Sequence, residues 1–197
     1  MSTIPYRLER REDTGIDNGR LAIWLFLASE VLFFGALLSS YLLLRMGSEA
    51  WPRGSERLDV AVASVNTLVL ILSSVTMVRA WEHARVGRHG RSRVLVLVTA
   101  ALGIVFVAIK AYEWREKLQL GIRPADDLFY ALYFTLTGVH LVHLVAGIVV
   151  LLDLALRARS IEASQRGLLA HRLEISGIYW HFVDMVWVVR FPVLYVT

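Results

Sequence analysis

Cysteine is absent from this chain of 197 residues. That excludes disulfides, thiolate metal centres, iron–sulfur clusters and haem attached through a C-x-x-C-H motif, so any metal would have to be held by His, Asp, Glu or Met. Charge is thin as well. Asp, Glu, Lys and Arg make up 19 % of the residues, against about 25 % in ordinary soluble domains. The hydrophobic share is 56 % and the mean hydropathy +0.55, which moves the chain toward the membrane class. Glycine-rich phosphate loops, nucleophile elbows and HExxH motifs are missing, so no motif marks a self-sufficient enzyme. Internal repeats, low-complexity tracts and a soluble domain are missing too. No cleavable leader is expected, because the first apolar run begins only at Leu21, exceeds a signal core in length and lacks an A-x-A-like exit.

What the chain does have is apolar runs, at 21–44, 60–78, 94–114, 128–156 and 175–196. A hydrocarbon core of roughly 30 Å takes about 20 helical residues, and these runs fit with some tilt. They lack the regular alternation of a half-buried strand, and a span of this length has to satisfy its own backbone. The expected fold is an all-α integral membrane protein, a bundle of five transmembrane helices. Five fully buried helices of a soluble protein would leave too little polar cover in a chain of this length.

The net charge of +4 does not call for nucleic acid, and no such partner is expected. Basic residues beside apolar spans set topology and meet anionic lipid headgroups. Lys and Arg number four in the N-terminal tail, five in the Arg79–Arg93 loop and four in the Arg157–Arg172 loop, thirteen on one side. The Arg45–Arg57 loop, the Lys110–Arg123 segment and the C-terminal end carry three, four and one, eight on the other. The positive-inside rule then expects residues 1–20 to be a cytoplasmic tail, residues 21–197 a single transmembrane domain, and the C-terminus to lie outside.

Several spans carry polar groups. Glu30 is the tenth residue of the first run, about 15 Å deep at 1.5 Å per residue. An ionised carboxylate facing lipid there costs at least about 3 kcal/mol, so Glu30 is expected to face protein or to be protonated. It is either a proton-handling interface carboxylate or a protonated acid bonded between helices. In "NTLVLILSS", Asn66 with Ser73 and Thr67 with Ser74 are seven apart and share faces, the pattern of hydrogen bonds between packed helices, worth about 0.6–2 kcal/mol each. Gly35 and Ser39, four apart, suggest a close helix contact. In "KAYEW", Lys110 and Glu113 are spaced to pair, and Glu113 and Lys117 stand in the favourable order. This is expected to be an anchoring cluster at the membrane edge, with Trp114 at the interface.

Histidines supply the remaining chemistry. In "TGVHLVHLVAG", His140 and His143 are three apart, roughly one turn, so both imidazoles can lie on one face. "GIYWHFVDMVW" places His181 and Asp184 on adjacent turns, able to satisfy each other or to reach those histidines. These four are the one constellation suited to a metal or haem, and the plainer reading is a hydrogen-bonded packing element.

Taken together, "ASEVLFF" with Glu30, "VNTLVLILSSVT", "TGVHLVHLVAG" and "YWHFVDMVW" resemble, in order and spacing, the signatures of subunit III of haem–copper cytochrome c oxidases. The resemblance runs from about Leu21 to the C-terminus and places Glu30, Asn66, Glu113, His140, His143, His181 and Asp184 at family motif positions. Seven helices are usual there, and this chain is similar to the shorter bacterial form lacking the first two. The resemblance implies a non-catalytic subunit of the bacterial plasma membrane with no metal of its own, haem and copper lying in subunits I and II. It implies packing against subunit I, bound phospholipid, support of proton uptake and a proposed dioxygen route near Glu30. Asn66, Glu113, His140, His143, His181 and Asp184 become an interhelical polar network, and a larger respiratory supercomplex a further candidate partner. Only three of the six histidines lie within the spans, fewer than a haem–copper core needs. Two departures stand out: Lys110 and Trp114 replace the family's usual glutamine and tyrosine, and without the first two helices the lipid cleft lacks one wall. Rival readings are the equivalent subunit of a quinol oxidase, an accessory protein of nitric oxide reductase, and, from another class, a free-standing haem-binding protein or a transporter. A transporter would be expected to show broken helices or paired repeats, and neither is evident.

Overall fold

Three aspartates start three of the long helices. In the computed structural model of the chain, which describes residues 15, 17–158 and 166–196, Asp17, Asp59 and Asp127 each accept a hydrogen bond from the backbone N–H three residues on. The donors are Arg20, Val62 and Tyr130, at 3.0, 2.9 and 2.8 Å. A side-chain oxygen there satisfies one of the donors that a first turn leaves orphaned, typically worth about 1 kcal/mol. The helices are α1 (Asn18–Met46), a short α2 (Gly54–Arg57), α3 (Val60–Arg85), α4 (His89–Gln119), α5 (Leu128–Arg157) and α6 (Arg166–Phe191). No strand occurs among the described residues. Past the ends of α3 and α4, Gly87 and Gly121 take φ of +77° and +80°, the left-handed turn that only glycine adopts cheaply.

Each of the five apolar runs is helical, with changes at the ends. The second and third continue to Arg85 and Gln119, well beyond their apolar cores. The fifth helix begins at Arg166, nine residues ahead of the run, and gives way at Pro192 to a π-helical turn, Pro192–Val196. Proline has no N–H to donate to the preceding turn, so the regular ladder stops there. Four helices, α1, α3, α4 and α5, are long and apolar enough to cross a membrane. The α6 helix is as long as α3 but carries Arg172, Glu174, His181, Asp184 and Arg190, which keep it out of that set. Residues 1–14 and 16 of the expected tail, 159–165 of the Arg157–Arg172 loop and 197 lie outside the described residues.

The α6 helix is central, packing on α1, α3 and α5, while α3 lies against α4 and α4 against α5. Its inward stripe of Leu169, Leu173, Gly177, Trp180, Val183 and Trp187 is buried, recurring every three or four residues as one helix face requires. Trp180 fits where α4 and α5 present Gly103 and Gly147. A Cβ at these positions would lie 2.8 Å and 3.1 Å from its ring. The α1 helix is peripheral: Leu27, Phe34 and Tyr41, seven apart, are its buried residues. Trp24, Leu25, Leu32 and Leu43 remain exposed. The expected contact through Gly35 and Ser39 is not made, since Gly35 has open space around it and Ser39 is exposed. Both point away from the Leu27–Phe34–Tyr41 seam.

Candidate functional site

Glu30 sits on the α1 seam, between Leu27 and Phe34, and faces α5. Its Oε2 lies 3.0 Å from His143 Nε2, the side chains being 14 % and 18 % exposed, at ion-pair distance but off the line of an ideal hydrogen bond. On the other edge of the ring, His143 Nδ1 is 2.8 Å from the Val139 carbonyl oxygen. A carbonyl only accepts, so Nδ1 carries a hydrogen. The Tyr179 hydroxyl donates to the His143 carbonyl at 2.8 Å, and Phe34 meets the His143 ring edge-on at 5.0 Å. Three helices, α1, α5 and α6, are thereby joined at one point.

His181 and Asp184 do not reach the α5 histidines. Ser74 of α3 stands between them: its Oγ is 3.0 Å from His181 Nδ1 and in contact with Asp184 Oδ2. The neighbouring Ser73 donates to the Leu70 carbonyl at 2.7 Å and accepts from Trp180 Nε1 at 3.0 Å. About two turns away, Thr67 Oγ1 accepts from Trp187 Nε1 at 2.9 Å. The polar face of "NTLVLILSS" therefore bonds chiefly to α6, with Asn66 the exception: its Nδ2 donates to the Phe106 carbonyl of α4 at 3.3 Å.

Lys110 and Glu113 pair at 2.8 Å, but the expected anchor at the membrane edge is corrected: their side chains are 0 % and 5 % exposed. The helix face carrying both turns toward α5 and the π-helical turn, which close over them. Tyr133 and Tyr195 both donate to Glu113 Oε1, at 2.6 and 2.9 Å, and Lys110 also contacts the Tyr195 hydroxyl. The Lys110 ammonium lies 5.1 Å from the Trp187 ring centre and 4.9 Å from that of Tyr195, within cation–π range. Lys117 takes no part with Glu113 and donates instead to the Arg57 carbonyl at 2.8 Å. Trp114 is partly buried and packs edge-on against Phe134 at 5.2 Å. Neither tyrosine was singled out by the sequence. The signal available was "DLFYALYF", where Tyr133 falls on the α5 turn facing Glu113.

The reading that His140 and His143 can lie on one face is also corrected. Three residues turn a helix by about 300°, and α5 is packed on more than one side, so the remaining 60° separates the rings. His143 looks toward α1, whereas His140 is fully buried against Phe106 and Trp187, with centroids at 5.8 and 5.2 Å. Both His140 nitrogens, Asn66 Oδ1 and the three Arg190 nitrogens lack hydrogen-bond partners, and the Arg190 guanidinium lies 5.8 Å from the Trp187 ring centre. Among the described residues, no group of three or more His, Asp or Glu is placed to hold a metal ion.

The entry to the bundle has its own clamp. Asp17 Oδ1 lies 2.9 Å from His171 Nε2 of α6, and Arg20 Nη2 donates to both Glu174 oxygens at 2.7 and 2.9 Å. Burial pushes the Asp17 carboxyl up, but the Arg20 amide and the His171 and Arg20 charges outweigh it and hold the group below the usual carboxylate range.

The family model for cytochrome c oxidase subunit III matches residues 11–197. The chain belongs to the cytochrome c oxidase subunit III family. Cytochrome c oxidase subunit 3 of Bacillus sp. (strain PS3) is 31 % identical over 98 % of this chain and 92 % of its own length. The probable quinol oxidase subunit 3 of Staphylococcus saprophyticus is 30 % identical over 95 % and 92 %. In Aeropyrum pernix the similar protein is a heme-copper oxidase subunit I+III, 31 % identical over 92 % of this chain and 23 % of its own length. As a subunit III family member with four helices of membrane-crossing length and composition, the chain is a multi-pass membrane protein belonging to an oxidoreductase complex.

Proposed function

We propose that this chain is the accessory third subunit of a bacterial respiratory haem–copper oxidase of the cytochrome c type, in the plasma membrane and without a redox centre of its own. The family match over residues 11–197 carries this reading. In it the complex reduces dioxygen to water and moves protons outward, while haem and copper reside in subunits I and II. Five helices cross the bilayer, α1, α3, α4, α5 and α6, with residues 1–20 in the cytoplasm, 21–197 as one transmembrane domain and the C-terminus outside. Including α6 is supported by where its polar groups turn: Glu174 to Arg20, His181 and Asp184 to Ser74, and Arg190 onto Trp187. A spanning helix can keep ionisable groups when protein rather than lipid surrounds them.

Subunit I is the proposed neighbour, and the Aeropyrum pernix relative, whose name joins I and III in one chain, supports it. The apolar outer surface of α1, open beyond its single seam, suits a neighbouring subunit or lipid. A groove of about 640 Å³ between α5 and α6, lined by Val149, Val150, Ile175, Asp153, Arg157 and Arg172, supports bound phospholipid, with an apolar floor beneath basic groups. Glu30, paired with His143, serves as the buried acid where α1 meets the bundle, beside the path proposed for oxygen. Asn66, Glu113, His140, His143, His181 and Asp184 brace the helices.

Purification in mild detergent tests the assignment: haem- and copper-bearing subunits co-purify, and a chain recovered alone refutes it. Glu30→Ala leaves the haem spectrum of the complex intact and alters its stability over many turnovers or its oxygen dependence. Unchanged activity counts against that role for Glu30. A second reading, the subunit of a quinol oxidase, is favoured by relatives that carry that name. The companion subunit II decides between them, by the presence or absence of cysteine–histidine copper ligands.

A further inference from the structure

A groove of about 270 Å³ runs between α3 and α6, walled by Met77, Trp81, Leu173 and Ile178 and carrying Glu174 and His181. Trp81 lies near the end of α3 and Glu174 near the start of α6, so one end of the groove is on the N-terminal side of the bundle, beside the Arg20–Glu174 pair. His181 is seven residues further along α6, about 10 Å inward.

Behind His181 the polar atoms form a single file. Nδ1 faces Ser74 Oγ at 3.0 Å, Ser74 Oγ contacts Asp184 Oδ2, and Asp184 Oδ1 ends the file without a partner. The Ser74 hydroxyl has one hydrogen, so with a neutral imidazole only two arrangements satisfy the file. In one, Nδ1–H donates to Ser74, Ser74 donates to an ionised Asp184, and Nε2 is a bare acceptor. In the other, protonated Asp184 donates to Ser74, Ser74 donates to Nδ1, and Nε2 carries the hydrogen. The two differ by one proton. Ser73 Oγ also lies 3.5 Å from Asp184 Oδ2, but its hydrogen goes to the nearer Leu70 carbonyl at 2.7 Å.

We propose that His181, Ser74 and Asp184 form a one-proton relay that loads Asp184 from this groove. A proton from bulk solvent reaches Nε2 through water in the groove. Nδ1 passes its hydrogen to Ser74 Oγ, and Ser74 passes its own to Asp184 Oδ2. No heavy-atom bond changes, and unloading runs the same file backwards. Other ionisable groups packed on α6 are engaged elsewhere. Glu30 pairs with His143, Lys110 with Glu113, Asp17 with His171 and Glu174 with Arg20. Arg190 and His140 lie against Trp187. The direction of uptake, from the cytoplasm, rests on the orientation proposed above, and the relay itself does not.

Infrared spectroscopy of the full chain in its native membrane complex tests this. A carboxylic-acid C=O band appears on acidification and is lost in Asp184→Asn. Its proton exchanges with D2O about a hundredfold more slowly in Ser74→Ala and in His181→Phe, the scale of a positioned proton-transfer group. Ser74→Thr, which keeps the hydroxyl, restores exchange and separates loss of the relay from loss of fold. Equal exchange rates in the wild type and Ser74→Ala, or an Asp184 band that neither appears nor changes with pH, would overturn the relay while leaving the oxidase assignment untouched.

Discussion

Glu113→Gln replaces one oxygen of a carboxylate that three buried donors share. The amide oxygen still accepts from Tyr133 and Tyr195, which now donate at 2.6 and 2.9 Å, so the phenols lose little. Lys110 loses its counter-charge at 2.8 Å while remaining fully buried, and breaking a buried pair from one side costs about 3–5 kcal/mol. Lys110→Gln strands the carboxylate instead, with its two phenol donors as partial compensation, and costs about 2–4 kcal/mol on the same grounds. The double substitution removes both charges and leaves two amides among two phenols, so it falls within about 1–2 kcal/mol of the wild type. The coupling energy is therefore at least about 3 kcal/mol. Equilibrium unfolding in mixed micelles, followed by tryptophan fluorescence and helix content, measures all four corners of this cycle. Additive losses, or a Glu113→Gln cost under about 1 kcal/mol, would show that Lys110 is not held as a buried cation and refute the reasoning.

Gly103→Ala sets a methyl group 2.8 Å from the Trp180 ring and costs about 1–3 kcal/mol in the same unfolding assay. Gly35→Ala, with open space around it, costs nothing measurable. Asp17 has a folded-state pKa below its ordinary 3.8, so its stabilisation is present above that value and is lost as pH falls through the lower folded one. Wild-type stability therefore drops below about pH 4 more than that of Asp17→Asn, and a parallel acid profile would remove Asp17 from the clamp. Because the chain has no cysteine, single-cysteine labelling tests topology cleanly. Arg88→Cys reacts with an impermeant thiol reagent only from the cytoplasmic face and Arg123→Cys only from outside, whereas labelling of both from one face contradicts the orientation.

The helices were legible because lipid depth imposes them. A run such as 128–156 has few ways to satisfy its backbone except as a helix, and α5 spans Leu128–Arg157. The Lys110–Glu113 pair was legible for a similar local reason, since residues three apart are neighbours on any helix. Its burial was not, because a helix with apolar residues all round does not announce which face meets protein. The same ambiguity hid the parting of His140 from His143, and it made Gly35 and Ser39 look like a contact that the α1 seam leaves outside. The part of Ser74 as bridge between His181 and Asp184, and the convergence of Tyr133 and Tyr195 on Glu113, depend on residues 20 to 110 positions apart in the chain. No local pattern encodes such meetings.

By itself, then, the order of residues determined which segments are helices, where capping aspartates and turn glycines bound them, and which family motifs the chain carries. Those are properties of neighbours a few positions apart, governed by backbone hydrogen bonding and by the solvent each segment can tolerate. Only the packing of the helices on one another decided which ionisable groups far apart in the chain become partners and which groups are buried in protein. A side chain's charge can be balanced only by what lies across the gap, and that is fixed by helix rotation and approach.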